Sequence, residues 1–438
     1  MSNSSISKLL QLVSEERLRG STAGYRGVLI ASESDKARVV NSAAFRRLQQ
    51  KAQVFPLEPN ASVRTRLTHS IEVSQIGRYL TQKIIEKFVS NDTSSKRYNE
   101  LTALVNIVET ACLLHDIGNP PFGHLGESAV REWCRDIQLA GDVLHFDGNP
   151  QGFRLISFLA GEDRFGLNLS CSLLLSTIKY PWDVKNRPID KKVGIFDSDV
   201  KSYEECCERL NWKTGKIFPL MQIMDIADEI AYSMSDLEDG LEKGIIDDED
   251  LKNEFDPFFS EITAKSNHIK PFIAFKTAII NLAVETATKN YTDNIDGIFN
   301  GDFRCNIPGE TEVGDLLKKV GTFARARIYR SPAAEGVELA GRSVIKGLLS
   351  HFGQLRSLSA DNFNALLSDD REKIKAQNLD FHGHLLRRLP KRYIEKYSIL
   401  DRGDEQSRRA HLIIDFIAGM TDDFALETYQ VLEGIRIK

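Results

Sequence analysis

Residues 113–127 read LLHDIGNPPFGHLGE. An apolar approach with helical spacing ends in His115-Asp116, a Gly-Asn-Pro-Pro turn follows, and His124 and Glu127 come directly after it. Adjacent His and Asp side chains serve packing poorly. A neutral imidazole nitrogen beside a hard carboxylate oxygen instead suits a divalent metal. The pair therefore points to a metal-dependent hydrolase whose remaining ligands lie elsewhere in the chain.

Two other stretches offer them. Upstream, RTRLTHSIEVSQIGRYL (64–80) places His69 at the start of an amphipathic helix. Downstream, MDIADEIAYSMSDLEDG (224–240) repeats Asp228, Tyr232 and Asp236 at four-residue intervals. Each such step drifts by only about 40° around a helix, so the three share one face. His69, His115, Asp116 and Asp228 make two imidazoles and two carboxylates, with room for water or phosphate oxygens. This mixed set suits Mn²⁺, Fe²⁺, Co²⁺ or Zn²⁺ and admits Mg²⁺ less naturally.

The 438-residue chain is 42% hydrophobic and 27% charged, with a formal net charge of −5. That composition is ordinary for a globular protein and argues against nonspecific nucleic-acid binding over the whole surface. No apolar stretch is long enough to span a membrane, and the N-terminus carries no signal-peptide pattern, so a cytoplasmic location is expected. The cysteines (112, 134, 171, 206, 207 and 305) form no CxxC pair and are expected to be small buried hydrophobes.

Helical periodicity dominates, at 35–51, 70–88, 101–115, 152–160, 220–240, 271–289, 312–328 and 339–356. Strand candidates are limited to Val54-Phe55 and the stretch near 193–196, so the fold class is mainly α with at most a small β-hairpin. Residues 89–99 and 290–310 have loop composition, and 183–215 has the character of a surface excursion.

The ordered His…His-Asp…Asp set resembles the HD superfamily of metal-dependent phosphohydrolases. Longer blocks narrow this. ESDKARVVNSAAFRRLQQKAQVFPLEPNASVRTRLTHSIEVSQIGR (33–78), LLHDIGNPPFGHLGE, HFDGNPQGFRLI (145–156), KYPW (179–182) and ADEIAYSMSDLED (227–239) are similar to the deoxyguanosine triphosphate triphosphohydrolase family. The later block TFARARIYRSPAAEGVELAGRSVIKGLL (322–349) is similar in general character only.

The resemblance implies a helical HD-domain enzyme that cleaves a deoxynucleoside triphosphate, with dGTP favoured, to deoxynucleoside and tripolyphosphate. Attack falls on the α-phosphorus and the bond to the sugar 5′-oxygen breaks. It implies metal ligation by His69, His115, Asp116 and Asp228, with Mn²⁺ or Mg²⁺ as the leading ions. His124 would be the catalytic histidine, oriented by Glu127, either protonating the departing oxygen or managing the proton of the attacking water. Gln53 and Asp236 would meet the 3′-hydroxyl, and Tyr232 would lie under the sugar near C2′. Arg66, Asn119 and Lys179 would contact phosphates, whose negative charge demands such donors. Asp147 stands where the family often has Glu. Arg325, Arg327 and Arg330 are further candidates for a phosphate or a neighbouring subunit.

The domains expected on this basis are an N-terminal helical segment (1–60) contributing to the site, an HD core (61–240) and a C-terminal helical region (241–438) packed on the core and used in oligomer contacts. A homo-oligomer, hexameric by analogy, goes with the resemblance, as does activation by a second dNTP. Binding of single-stranded DNA occurs in the family, but the acidic net charge gives it no support here. Two other readings compete. One is another HD-type nucleotidase or phosphodiesterase, which would have no use for a deoxyribose reader. The other is a nucleotide-sensing or single-strand-binding protein with weak catalysis, against which the intact ligand and His124–Glu127 sets weigh. The remaining histidines, including His382 and His384, are expected to be structural or exposed.

Overall fold

Tyr98–Leu114 is the least polar long segment of the chain and becomes its central helix. From Ala103 to Leu114 every side chain except Glu109 is buried, as expected of a helix apolar on all sides. Its few polar groups are matched. The amide of Asn106 donates to Ser32 Oγ at 3.1 Å, and Glu109 pairs with Lys36 at 2.6 Å and Arg78 at 2.9 Å. The computed structural model describes residues 2–89, 97–137, 142–265, 268–400 and 404–436. Most of the 89–99 stretch thus lies outside the described residues.

Around this helix pack Val28–Val40, Arg66–Val89 and Pro219–Glu242. The last begins on Pro219, whose fixed φ and missing N–H suit a first helical position. Arg66–Val89 lies against the central helix at Gly77, where an added Cβ would overlap the sulfur of Cys112.

The fold is mainly α. Among the described residues the only β features are two isolated bridges, Arg17 with Ser170 and Ala52 with Thr65. Neither strand candidate forms a strand. Val193, Ile195 and Phe196 are instead buried in irregular chain, which explains their apolar pattern. The 183–215 segment is therefore no pure surface excursion: its helix Val200–Arg209 buries Tyr203, Cys206 and Cys207. The expected loop at 290–310 is helical through Asp293 and again at Ile295–Asn300. The expected helix at 35–51 breaks at Asn41-Ser42, where Ser42 caps a new turn by accepting from Phe45 N. All six cysteines are buried.

The C-terminal helices close one side of the core. Pro332–Ser357, capped by Ser331, packs on Gly123–Asp136 and on Glu405–Ala418. A buried ionic cluster ties Glu405–Ala418 to the middle of the chain. The Arg154 guanidinium donates to both Asp415 oxygens, at 2.8 and 3.0 Å, and to Ser198 Oγ at 2.9 Å, while Gln151 also donates to Asp415. Breaking such a pair leaves an uncompensated buried charge. Arg154→Ala is therefore expected to cost about 3–5 kcal/mol, read by urea unfolding. A loss under about 1 kcal/mol would mean that solvent reaches the cluster.

Candidate active site

The first turn of Arg66–Val89, the end of Tyr98–Leu114 and the middle of Pro219–Glu242 bring His69, His115 and Asp228 together. His69 Nε2 and His115 Nε2 each lie 3.4 Å from the same oxygen, Asp228 Oδ1. The imidazoles meet edge to face with centroids 5.3 Å apart, and one ligand atom from each of the three residues lies within 4.8 Å of the others.

His115 Nδ1 is 2.7 Å from the carbonyl oxygen of Cys112. A carbonyl only accepts, so Nδ1 carries the hydrogen and Nε2 keeps its lone pair for a ligand. That Nε2 is buried and has no hydrogen-bond partner among the described residues. A buried, unpartnered nitrogen aimed at a carboxylate oxygen, with a second imidazole beside it, fits a divalent cation.

Asp116 stands at the edge of this group. Its Oδ2 pairs with Arg66 Nη1 and lies 3.5 Å from His115 Nε2, while Oδ1 accepts from Asn119 Nδ2 at 2.6 Å. Lys179 Nζ sits 2.8 Å from Asp228 Oδ2 and 3.1 Å from Asp225 Oδ1. Burial opposes ionisation of both Asp116 and Asp228, but the neighbouring cations prevail. Arg66 and then His115 bring Asp116 down to about 2, and Lys179 with the two imidazoles holds Asp228 well below the usual carboxylate range. Burial likewise opposes the charge of Lys179, and Asp228 and Asp225 outweigh it and raise its pKa. The carboxylates are thus ionised and ready to ligate across the neutral range.

These groups border a cavity of about 650 Å³, within the usual range for a small-molecule site. Gln53, Arg66, Asp116, Asn119, His124, Glu127, Asp228 and Tyr232 line it, so the structure brings most of the sequence candidates to one space. His69, His115, Lys179 and Asp236 stand behind that lining and reach it through Asp228, Asp116 or Tyr329.

His124 opens the helix Gly123–Asp136 and is 93% exposed at its side chain. Its Nδ1 is 3.5 Å from Glu127 Oε2, and Glu127 Oε1 is fixed by accepting from Gly148 N at 2.9 Å. The hydrogen bond to Glu127 raises the imidazole pKa, against a smaller opposing effect of burial.

One turn and two turns beyond Asp228 come Tyr232 and Asp236. Both meet Tyr329, a residue not singled out from the sequence: its hydroxyl lies between the Tyr232 hydroxyl and Asp236 Oδ2. When Asp236 is ionised it only accepts, so Tyr329 then donates to Asp236 and accepts from Tyr232. Asp236 Oδ1 and Gln53 Oε1 are buried acceptors with no donor among the described residues, which leaves them open to a ligand hydroxyl. Tyr329 ends the π-helical turn Arg325–Tyr329. Arg327 beside it is turned to Asp250 at 2.9 Å. Asp147 serves a local purpose: it caps the helix Gly148–Arg154 by accepting from Asn149 N and pairs with Lys192 at 2.7 Å.

Burial raises the Asp236 pKa to about 7, despite the opposing hydrogen bond from Tyr329. Between the ordinary carboxylate value and about 7, the folded chain holds a proton that the unfolded chain releases. Stability from this group therefore falls as pH rises through that window. Asp236→Asn stays neutral, so chelator-treated variant is expected to gain on wild type from pH 5 to 7, by at most about 1.4 kcal/mol per pH unit. Parallel stability curves over that range would exclude the shift.

Residues 66–147 match the HD domain, and residues 381–431 match the phosphohydrolase-associated domain. The chain is 33% identical to the deoxyguanosinetriphosphate triphosphohydrolase of Enterobacter sp. (strain 638), over 93% of this chain and 94% of that protein. It is 32% identical to the protein of the same name from Klebsiella pneumoniae (strain 342), over 94% and 95% of the two chains. With this similarity running nearly end to end, and with the His-Asp centre lying where the HD match falls, the chain belongs to the deoxyguanosinetriphosphate triphosphohydrolase family of HD-domain proteins.

Proposed function

We propose that the protein hydrolyses deoxynucleoside triphosphates, dGTP foremost, to deoxynucleoside and tripolyphosphate. The observation that carries this reading is the single helix Pro219–Glu242, which presents Asp228 to the two imidazoles and, one turn on, Tyr232 to the same cavity, with Asp236 a further turn on behind Tyr329. A phosphate-cleaving centre and a sugar-reading surface are thereby held at a fixed spacing.

His69, His115, Asp116 and Asp228 would hold the divalent ion, Mn²⁺ or Mg²⁺ being the first choices and Fe²⁺, Co²⁺ or Zn²⁺ also suited to the nitrogen donors. When bound, such an ion supplies positive charge that polarises a phosphoryl oxygen and acidifies water. Arg66, Lys179 and Asn119 supply donors for the phosphate oxygens. His124, kept protonated nearer neutrality by Glu127, is the group for delivering a proton to the departing 5′-oxygen. Asp236 Oδ1, which lacks a donor among the described residues, accepts from the 3′-hydroxyl, and the amide of Gln53 meets the same hydroxyl. The ring of Tyr232 takes the sugar face, leaving no place for a 2′-hydroxyl.

In this reading segment 1–60 contributes to the site through Gln53, the HD core spans 61–240, and 241–438 backs it. A homo-oligomer and a dNTP activator belong to the same proposal, testable by native mass and by paired-nucleotide assays; single-stranded DNA binding has no support in this chain and is not part of it. No helix among the described residues is long and apolar enough to cross a membrane. A cytoplasmic location accords with a nucleotide-pool substrate.

The test is product analysis. Each of the four dNTPs, singly and in pairs, is incubated with the protein and Mn²⁺ or Mg²⁺. Deoxyguanosine and tripolyphosphate in equal amounts from dGTP are expected. Release of orthophosphate or pyrophosphate as the primary product would overturn the proposal.

A further inference from the structure

Asp422 lies about 300 residues from the candidate catalytic groups in sequence but reaches two of their segments at once. Its Oδ2 accepts from Ala52 N at 2.9 Å and its Oδ1 from Phe122 N at 3.0 Å. Ala52 precedes Gln53, and Phe122 is two residues before His124. Lys51 adds a second tie between the same parts, its Nζ donating to the carbonyl oxygens of Asn119 and Ala418, the latter at 2.7 Å. Both side chains are out of water, Asp422 at 2% and Lys51 at 3% exposure.

What Asp422 holds at Phe122 is not a relaxed backbone. Phe122 has φ 59° and ψ 26°, the left-handed region, and this bend starts the helix that carries His124 and Glu127. A non-glycine residue pays roughly 1–2 kcal/mol to stay there, so it needs external support. The carboxylate fixes its N–H from one side. From the other, the buried Phe122 ring seats on Gly341, where any Cβ would overlap it. Thr421, the residue before Asp422, caps the helix Asp422–Leu432 by accepting from Phe424 N, so the carboxylate is itself mounted on a fixed helix end.

We propose that Asp422 is a positioning residue for catalysis: from the phosphohydrolase-associated region it sets the left-handed bend at Phe122 and thereby the place of His124 over the reacting phosphate, while holding Gln53 in register. This rests on the reading of His124 as the catalytic histidine. It gives the C-terminal region a defined part in the reaction, acting through two backbone amides and without touching substrate.

The test is a double-mutant cycle on the metal-loaded, full-length enzyme, with kcat expressed per bound metal and KM and Tm measured alongside. Asp422→Ala is expected to lower kcat by about 10–100-fold, the scale of a misplacement of about 1 Å. Asp422→Asn, which keeps one acceptor, is expected to recover part of that loss. In a His124→Ala background the further loss from Asp422→Ala is expected to shrink to a small part of its wild-type size, the part that passes through Gln53, because the histidine it positions is gone. Gly341→Ala displaces the Phe122 ring with Asp422 intact and is expected to show the same dependence on His124, which keeps the question decidable if Asp422→Ala folds poorly. Equal losses from Asp422→Ala in both backgrounds, or wild-type kcat per metal in that variant, would overturn the proposal while leaving His124 its role. Wild-type turnover in His124→Ala alone would overturn the reading of His124 and this inference with it.

Discussion

His115→Ala and Asp228→Ala are each expected to yield protein without stoichiometric divalent metal and with dGTP turnover lowered by at least about 10³-fold, the several kcal/mol that a metal contributes to such a transition state. Asp228 is the stronger case, because Oδ1 is the one atom that both imidazoles approach, at 3.4 Å each. Its loss removes a ligand and also frees Lys179, which keeps only Asp225 as a partner. His115 contributes a buried Nε2 that is unpartnered among the described residues and whose tautomer is set by the Cys112 carbonyl. Metal analysis of the purified variants, beside circular dichroism to establish that the helices persist, decides the matter. Full metal occupancy with wild-type turnover in either variant would show that the ion sits elsewhere.

His124→Ala separates proton transfer from metal binding. Its side chain is exposed in the cavity and outside the His69–His115–Asp228 group, so metal content and unfolding midpoint are expected to stay at wild-type values. Turnover is expected to fall by about 10²–10⁴-fold, the usual worth of a positioned general acid. Glu127→Gln should lose less, roughly 10-fold, since it removes the charge beside Nδ1 and leaves the imidazole in place. The alkaline limb of the pH profile carries a second signature. Glu127 raises the His124 pKa, so in Glu127→Gln the protonated imidazole is lost at lower pH and the alkaline decline in rate moves down the scale. A decline that stays where it was would assign it to another group.

Much of this centre was legible because its parts obey local rules. The His-Asp dipeptide closes an apolar helical run, and the four-residue spacing of Asp228, Tyr232 and Asp236 survives intact in one uninterrupted helix. Tyr329 was not legible for a definite reason. A π turn inserts a residue and rotates everything after it by about 100°, so the helical phase read from 312–328 does not carry through to the tyrosine that reaches Tyr232 and Asp236. The arginines around it drew attention by charge, yet Arg327 faces Asp250. Asp422 was hidden differently. Its partners are backbone amides hundreds of residues away, and an amide leaves no mark in a sequence. The apolar run at 193–196 misled because burial without regular structure has the same composition as a strand.

The crossing at Gly77 has a bearing on the ion itself. His69 lies two helical turns before Gly77, and His115 lies one turn after Cys112, so the two imidazoles ride on the pair of rods that touch at that point. Packed interiors do not stretch, and any side chain at position 77 would wedge the rods apart. The gap between the imidazole nitrogens is thus gauged by a hydrogen atom several residues from either ring. Ions of different radius ask for different bite widths, so on the proposed ligand set a substitution at Gly77 is expected to shift the relative binding of Mg²⁺, Mn²⁺ and Zn²⁺ without touching the metal.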